Sequence, residues 1–169
     1  NIGLRHISVS TCGLVPRIHR LAEEGLPITL SVSLHASDDA VRDRLMPVNK
    51  TYPIDSLLEA CQYYFDKTGR RVSFEYTLIA GENDSLADAE ALANRLRRGI
   101  HSPCHVNLIL LNSVKETGFS APGRERAKEF CAYLEKRGIS ATIRRKLGSD
   151  IDASCGQLRL NHIENELFI

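Results

Sequence analysis

The sequence predicts an α/β fold in which parallel strands alternate with helices. Short segments rich in β-branched residues recur along the chain, and segments with apolar residues at helical spacing lie between them. This alternation is typical of one parallel sheet covered by helices. The length of 169 residues, with 43% hydrophobic and 25% charged residues, suits one soluble domain with a real core.

Five segments have the composition of strands. In the first, Ile7 and Val9 alternate with polar residues, and in the third, Val72, Phe74 and Tyr76 share one face. The predicted strands span residues 6–11, 28–35, 71–79, 105–111 and 139–143.

The helices between these strands begin and end at recognisable residues. Pro16 opens the first helix, and Ser37 is the predicted start of a short second one. The clearest helix runs from Pro53 to Gly69, and its predicted buried face comprises Ile54, Leu57, Leu58, Cys61 and Phe65.

Two further helices complete the alternation. Ser85 and Asp88 form a predicted capping box for the fourth. Pro122 opens the fifth, which has Cys131 on its apolar face and ends at Gly138.

Polar residues stand at the carboxyl ends of the predicted strands, where α/β proteins bind ligands. Ser10, Ser33, His35 and Asn112 offer hydroxyl, imidazole and amide groups without fixed charge, which suits a zwitterionic or nucleoside ligand. Ordinary capping of strand ends is the alternative for each residue taken singly.

The loop from Gly148 to Leu158 presents one thiol, Cys155, between two glycines. The basic residues Arg144, Arg145 and Lys146 precede it, and nearby cations favour the reactive thiolate. A tight turn around a buried, inert cysteine is the alternative.

The five cysteines are scattered, without any CxxC or CxxxCxxC spacing. This pattern indicates neither a disulfide framework nor a metal site, and it fits a reducing cytoplasm. Residues 115–147 hold nine Lys or Arg against four Asp or Glu. Such a segment can bind a phosphate backbone. A solvated helix face with ion pairs is the better explanation for Arg124 to Arg137, but not for Arg144, Arg145 and Lys146.

Residues 150–158, Asp-Ile-Asp-Ala-Ser-Cys-Gly-Gln-Leu, resemble the terminal signature of the RlmN/Cfr family of radical S-adenosylmethionine (SAM) enzymes, which methylate adenine in RNA. The family usually has Ala in place of Ser154. The resemblance implies that Cys155 is the catalytic cysteine, which becomes methylated and carries the methyl group.

Three other segments follow the same family in order. Ser-Thr-x-Gly beginning at Ser10, Ser-Leu-His at residues 33–35 and the asparagine at 112 match its SAM-contacting segments. The resemblance therefore implies that Ser10, Ser33, Leu34, His35 and Asn112 bind the cofactor. Three residues depart from the family pattern: Cys12 stands where Ser is common, and Leu110 and Ser113 stand where the family often has Pro. Without these prolines the loop after Asn112 should be less rigid than in the family.

The fold implied by the resemblance is a partial (β/α) barrel of the radical SAM type. Residues 1–147 would be the C-terminal part of that barrel, and residues 148–169 the loop and tail bearing the cysteine. The ligands of the family's [4Fe–4S] cluster, the resolving cysteine and an RNA-binding domain would lie upstream of this chain. An incomplete barrel exposes a sheet edge, so we expect the fragment to self-associate. Because the fragment lacks the cluster ligands, we also expect it to be inactive alone.

The implied reaction is methylation of carbon 2 of adenine in 23S ribosomal RNA, with transfer RNA as a second candidate substrate and an electron donor serving the cluster. One alternative is a Cfr-like enzyme acting on carbon 8, although Asp152 favours the carbon-2 branch. A non-catalytic RNA-binding relative is another. A generic α/β-barrel aldolase is the weakest, because neither a Schiff-base lysine nor a phosphate loop marks a strand end.

The spacing of the cysteines leads to a prediction about the isolated chain. Because its cysteines lack cluster spacing, the purified 169-residue chain should bind no iron–sulfur cluster. Iron and sulfide analysis after anaerobic reconstitution checks this, and stoichiometric amounts of both would contradict the reading.

Overall fold

Five parallel strands form one sheet in chain order in the computed structural model, which describes residues 3–111 and 118–144. The elements are β1 (Ser8–Thr11), α1 (Val15–Glu23), β2 (Thr29–Ser33), α2 (Asp39–Leu45), α3 (Ile54–Thr68), β3 (Val72–Leu78), α4 (Leu86–Gly99), β4 (Cys104–Leu110), α5 (Arg124–Lys136) and β5 (Ser140–Ile143). The predicted α/β class and the alternation of strands and helices are therefore confirmed.

The two faces of the sheet differ in chemistry because successive side chains of a strand point to opposite sides. Phe74, Val106 and Ala141 lie on the face that packs on the helices, in one core with apolar residues of α1, α3, α4 and α5. The other face, here called the polar face, carries Ser10, Ser31, Ser33, Ser73, Glu75, Thr77, His105, Asn107, Ser140 and Thr142.

Several predicted boundaries move by one or two residues. Residues Leu4–His6 form a short 3-10 helix, so β1 begins at Ser8 rather than at residue 6. Asp38, not Ser37, caps α2 by accepting the N–H of Val41 at 2.9 Å, and α5 begins at Arg124 after Pro122. The capping box of Ser85 with Asp88 and the left-handed cap at residue 69 are confirmed.

One core residue of α3 differs from the prediction. Tyr64 is fully buried, whereas Phe65 is only half-buried. The Tyr64 hydroxyl donates to the Ile28 carbonyl at 3.0 Å, which satisfies the polar end of its ring inside the core. Cys61 is buried as predicted, but Cys131 is only half-buried.

β1 lies at one edge of the sheet, and its exposed side chains include Val9 at 38% beside Ile7 at 37%. No helix in the described part of the chain is long and apolar enough to cross a membrane.

Gly99 ends α4 where that helix meets α3. A Cβ atom at residue 99 would lie 2.7 Å from Leu58 Cδ1 and 2.9 Å from Leu58 Cβ. We expect Gly99→Ala to lower the free energy of unfolding in urea by about 1–3 kcal/mol, because overpacking outweighs the better helix propensity of alanine. In a Leu58→Ala background the same replacement should cost less, because the Cγ and Cδ atoms are gone although the Cβ atom at residue 58 remains 2.9 Å away, and an equal loss in both backgrounds would contradict the proposed clash.

Candidate functional site at the carboxyl ends of the strands

The predicted site residues that the structure describes lie at the carboxyl edge of the sheet. Ser10 lies in β1 and pairs in register with Ser31, while Ser33 is the last residue of β2. Since residues 31 and 33 point to the same side, Ser10 and Ser33 share the polar face. The Leu34 side chain, in contrast, is buried in the core at 1% exposure.

A hydrogen-bonded network centred on Glu75 spans the middle of the polar face. Glu75 Oε1 accepts from Ser31 Oγ at 3.0 Å and from Asn107 Nδ2 at 2.9 Å. Thr142 Oγ1 in turn donates to Asn107 Oδ1 at 3.2 Å, and His105 contacts Thr142 Oγ1 at 2.9 Å. The network therefore fixes the Glu75 carboxylate from three neighbouring strands, β2, β4 and, through Asn107, β5.

The second oxygen of this carboxylate is left without a donor. Glu75 Oε2 is buried, and no described residue donates a hydrogen bond to it. A buried carboxylate oxygen without a donor is costly. The polar face thus holds negative charge and acceptor capacity that suit a cationic or hydrogen-bond-donating ligand.

His35 follows β2 in an unusual backbone conformation with φ +57°. Its Nδ1 accepts the Thr77 backbone N–H at 3.0 Å, so the neutral ring carries its proton on Nε2. Burial, and then the positive charge of Arg42, lower the pKa of His35 from 6.5 to about 4, while Glu75 opposes this shift. His35 is therefore a neutral Nε2–H donor at pH 7.

Buried side chains bind the backbone around these residues. Arg42, which is fully buried, donates to the carbonyls of Ser33 and Leu34, each at 3.0 Å. Asn83 donates to the carbonyl of His35 at 2.8 Å. The carbonyls of residues 33, 34 and 35 are thus all satisfied from within the protein.

Asn112 and Cys155 lie outside the described residues, as do Arg145 and Lys146. Among the described residues, no group of three or more His, Cys, Asp and Glu side chains could hold a metal ion. Within the described residues, the candidate site is a polar surface made by Ser10, Ser33 and His35, with the Glu75 network beside it.

Comparison with known proteins identifies the family. The model of the radical SAM superfamily matches residues 1–94. The chain belongs to the radical SAM superfamily. A solved radical SAM methyltransferase from Sphaerobacter thermophilus superposes with a TM-score of 0.87 at 52% identity, over 93% of this chain and 45% of that one. A domain of pyruvate-formate lyase-activating enzyme from Bacteroides vulgatus, with TM-score 0.57 and 17% identity, covers 82% of this chain and 99% of that domain, and so shares the fold.

Curated relatives extend the similarity along the chain. A probable dual-specificity RNA methyltransferase RlmN of Thermoanaerobacter sp. (strain X514) is 50% identical over 96% of this chain, which covers 47% of the relative. The protein of the same description in Pelotomaculum thermopropionicum is 56% identical over 94% of this chain and 43% of the relative. The chain thus spans less than half the length of these relatives.

Radical SAM proteins in general use SAM and a [4Fe–4S] cluster, and the two groups fit the described residues differently. The uncharged donors at Ser10, Ser33 and His35, with the unsatisfied oxygen of Glu75, match the hydroxyl, amine and sulfonium groups of SAM. For the cluster, the described residues supply no ligand set, so no role is assigned to them there.

Sequence reasoning missed several members of this site. Ser31, Asn107 and Thr142 could have been found by their two-residue spacing from Ser33, His105 and Ser140 on the same strand faces. The contacts of Arg42 and Asn83 give no such signal, because they join segments distant in sequence.

The depressed pKa of His35 predicts a specific loss of stability in acid. The unfolded state binds the proton below pH 6.5, but the folded state does so only near pH 4, so the contribution of His35 is complete above pH 6.5 and is lost between these values. The wild type should lose up to about 3 kcal/mol more than His35→Asn on going from pH 7 to pH 4.

Urea unfolding of both proteins at several pH values checks this prediction. Asparagine tolerates a positive φ and does not titrate, so it is a suitable reference at residue 35. Parallel pH profiles for the two proteins would show that folding does not lower the pKa of His35.

Proposed function

We propose that the full-length protein is a radical SAM methyltransferase that methylates carbon 2 of adenine in 23S ribosomal RNA, with Cys155 as the methyl carrier. Relatives described as RlmN are about half identical to this chain over nearly its whole length, which supports the RNA methyltransferase class. The Asp-Ile-Asp sequence before Cys155 supports carbon 2 as the target, and transfer RNA is a second candidate substrate.

The observation that carries the proposal is where the chain leaves the sheet. β5 runs parallel to β2, so its carboxyl end lies at the same edge as Ser33 and His35. The Arg144 N–H still donates to the Leu108 carbonyl at 2.8 Å and marks the last described residue at this edge. The cysteine loop therefore follows directly from the edge that bears the candidate SAM site.

The length of the segment between Arg144 and Cys155 supports the proposal that the thiol reaches that site. Cys155 follows Arg144 by 11 positions, because 155 − 144 = 11. A segment of this length spans at most about 36 Å when extended. The three strand spacings from β5 to β2 amount to about 14 Å. The thiol can therefore reach the polar face from where β5 ends.

The roles of the residues follow from their chemistry. Ser10, Ser33 and the Nε2–H of His35 would bind and orient SAM by hydrogen bonds, with Asn112 as a further ligand and Leu34 as the residue that holds Ser33 and His35 together. SAM supplies the methyl group and, in this superfamily, the radical chemistry. Cys155 must be a thiolate to accept a methyl group, which the basic residues before it favour.

The RNA contributes its own constraint. The target adenine must leave its stack to reach a site at the edge of the sheet. The α5 face is a poor candidate for holding the RNA, since Lys128 pairs with Glu125 at 2.7 Å and Arg137 with Glu90 at 2.8 Å. The exposed Arg144, at the carboxyl end of β5, is the better candidate among the described residues.

Replacement of the carrier thiol tests the proposal. In the full-length protein, Cys155→Ala should abolish methyl transfer to ribosomal RNA, because the methyl group has no sulfur to occupy, while cleavage of SAM continues. Ser154→Ala is the matched control and should retain full activity, because alanine is usual there in the RlmN/Cfr family.

Mass spectrometry of the RNA nucleosides provides the readout. Methylation at carbon 2 is the expected product, and methylation at carbon 8 would reassign the enzyme to the alternative branch. Wild-type levels of methyladenine from Cys155→Ala would exclude Cys155 as the methyl carrier.

A further inference from the structure

The segment Ser33–His35 has three consecutive carbonyls that accept hydrogen bonds from buried side chains. Arg42 Nη2 donates to the Ser33 oxygen at 3.0 Å and Arg42 Nε donates to the Leu34 oxygen at 3.0 Å. Asn83 Nδ2 donates to the His35 oxygen at 2.8 Å. Arg42 and Asn83 together thus fix the carbonyl of each of the three residues in this segment.

Arg42 also joins this segment to β1. Its Nη2 donates to the Cys12 carbonyl at 2.9 Å, immediately after the strand that carries Ser10. One rigid, planar guanidinium therefore sets the spacing between the ends of two neighbouring strands. These strand ends carry Ser10 and Ser33, two of the expected SAM ligands.

Asn83 fixes the same segment from the side of β3. Its Nδ2 donates to the Thr77 carbonyl at 2.8 Å as well as to the His35 carbonyl, and its Oδ1 accepts the Ile79 N–H at 2.7 Å. The side chain is 1% exposed, and the Tyr76 hydroxyl donates to its backbone carbonyl at 2.9 Å. Asn83 thereby holds His35 against the strand whose Thr77 N–H fixes the imidazole.

The backbone conformation of His35 makes such support necessary. A non-glycine residue at φ +57° is strained, and it persists only where its surroundings determine it. The N–H groups of Leu34 and His35 both donate to the Glu75 carbonyl, at 3.0 and 3.2 Å, which fixes the segment from a third direction.

We infer that Arg42 and Asn83 are positioning residues of the SAM site: they touch no ligand, but they hold Ser33 and His35 at the spacing and orientation that SAM binding requires. The inference rests on the proposed SAM-dependent function. It assigns a role to two buried polar side chains, Arg42 and Asn83, which the proposed reaction otherwise leaves without one.

The experiment uses the full-length protein and compares three variants. Asn83→Asp keeps the acceptor for Ile79 but places a carboxylate oxygen against the carbonyls of residues 35 and 77. Arg42→Lys keeps the charge, but a single ammonium group cannot bond all the carbonyls that the guanidinium reaches. Leu96→Ala, in the core of α4 and outside these hydrogen bonds, is the control for a loss of stability alone.

Three quantities are measured: the Kd for SAM by equilibrium dialysis, the KM for SAM and for RNA in the methyl-transfer assay, and the Tm. Asn83→Asp and Arg42→Lys should each raise the Kd and KM for SAM roughly tenfold or more, because small displacements of ligand-positioning groups are costly. The KM for RNA should not change. Leu96→Ala should lower the Tm and the apparent kcat, by reducing the folded fraction, and leave both KM values unaltered.

The possible outcomes distinguish a failure of the positioning role from a failure of SAM binding itself. Wild-type Kd for SAM in both positioning variants would overturn the inference and leave the proposed function in place. An equal rise in the Kd for Leu96→Ala at a comparable loss in Tm would overturn it too, because the effect would then be general. A wild-type protein that binds no SAM would overturn the proposed function and this inference with it. Should Arg42→Lys fail to fold, Asn83→Asp carries the same test.

Discussion

All five strands run in the same direction, and this single constraint decides where chemistry can take place in the molecule. It brings every carboxyl end to one edge, so that residues far apart in sequence meet there. It also fixes the two faces of the sheet, since a slip of one residue in β3 or β4 would bury Glu75 or Asn107 and expose Phe74 or Val106. Each large apolar side chain contributes about 1.5–3 kcal/mol by its burial, so the core holds the register that the polar face needs.

The most costly group in this arrangement is the buried guanidinium of Arg42. Burial lowers its pKa, and no described carboxylate bonds it directly. The guanidinium donates hydrogen bonds to three carbonyls and, at 2.8 Å, to Asn49 Oδ1. Asn49 Nδ2 donates in turn to the carboxylates of Asp39 and Asp43, at 3.0 and 2.7 Å. An apolar residue of similar size would avoid the desolvation cost altogether. The retained charge is therefore better understood as a means of specifying one geometry than as a source of stability.

The sequence could predict the sheet but not the bonds that shape its edge. Alternation of apolar and polar residues depends on one strand at a time, and for that reason the five strands, the capping box at Ser85 and the placement of Ser10 and Ser33 at strand ends were predictable. The choice of Tyr64 over Phe65 as the buried ring depends on the Ile28 carbonyl, 36 positions away, and no local pattern contains that information. The same holds for Arg42 and Asn83, whose partners lie up to 48 positions away. What escapes prediction is thus the set of long-range polar contacts, whereas the apolar periodicity is local.

The charges at the edge of the sheet are also arranged for one kind of ligand. SAM carries a permanent positive charge on sulfur, and two unit charges about 5 Å apart at an effective dielectric constant of about 20 interact by about 3 kcal/mol. A protonated imidazole at residue 35 would repel such a ligand by an energy of this order. With a pKa near 4, His35 is neutral at pH 7, and Glu75 supplies the negative charge of the polar face. Burial of His35 beside Arg42 therefore keeps the ring neutral well below pH 7, so that it adds no positive charge to a site that, on the proposed function, must accept a cation.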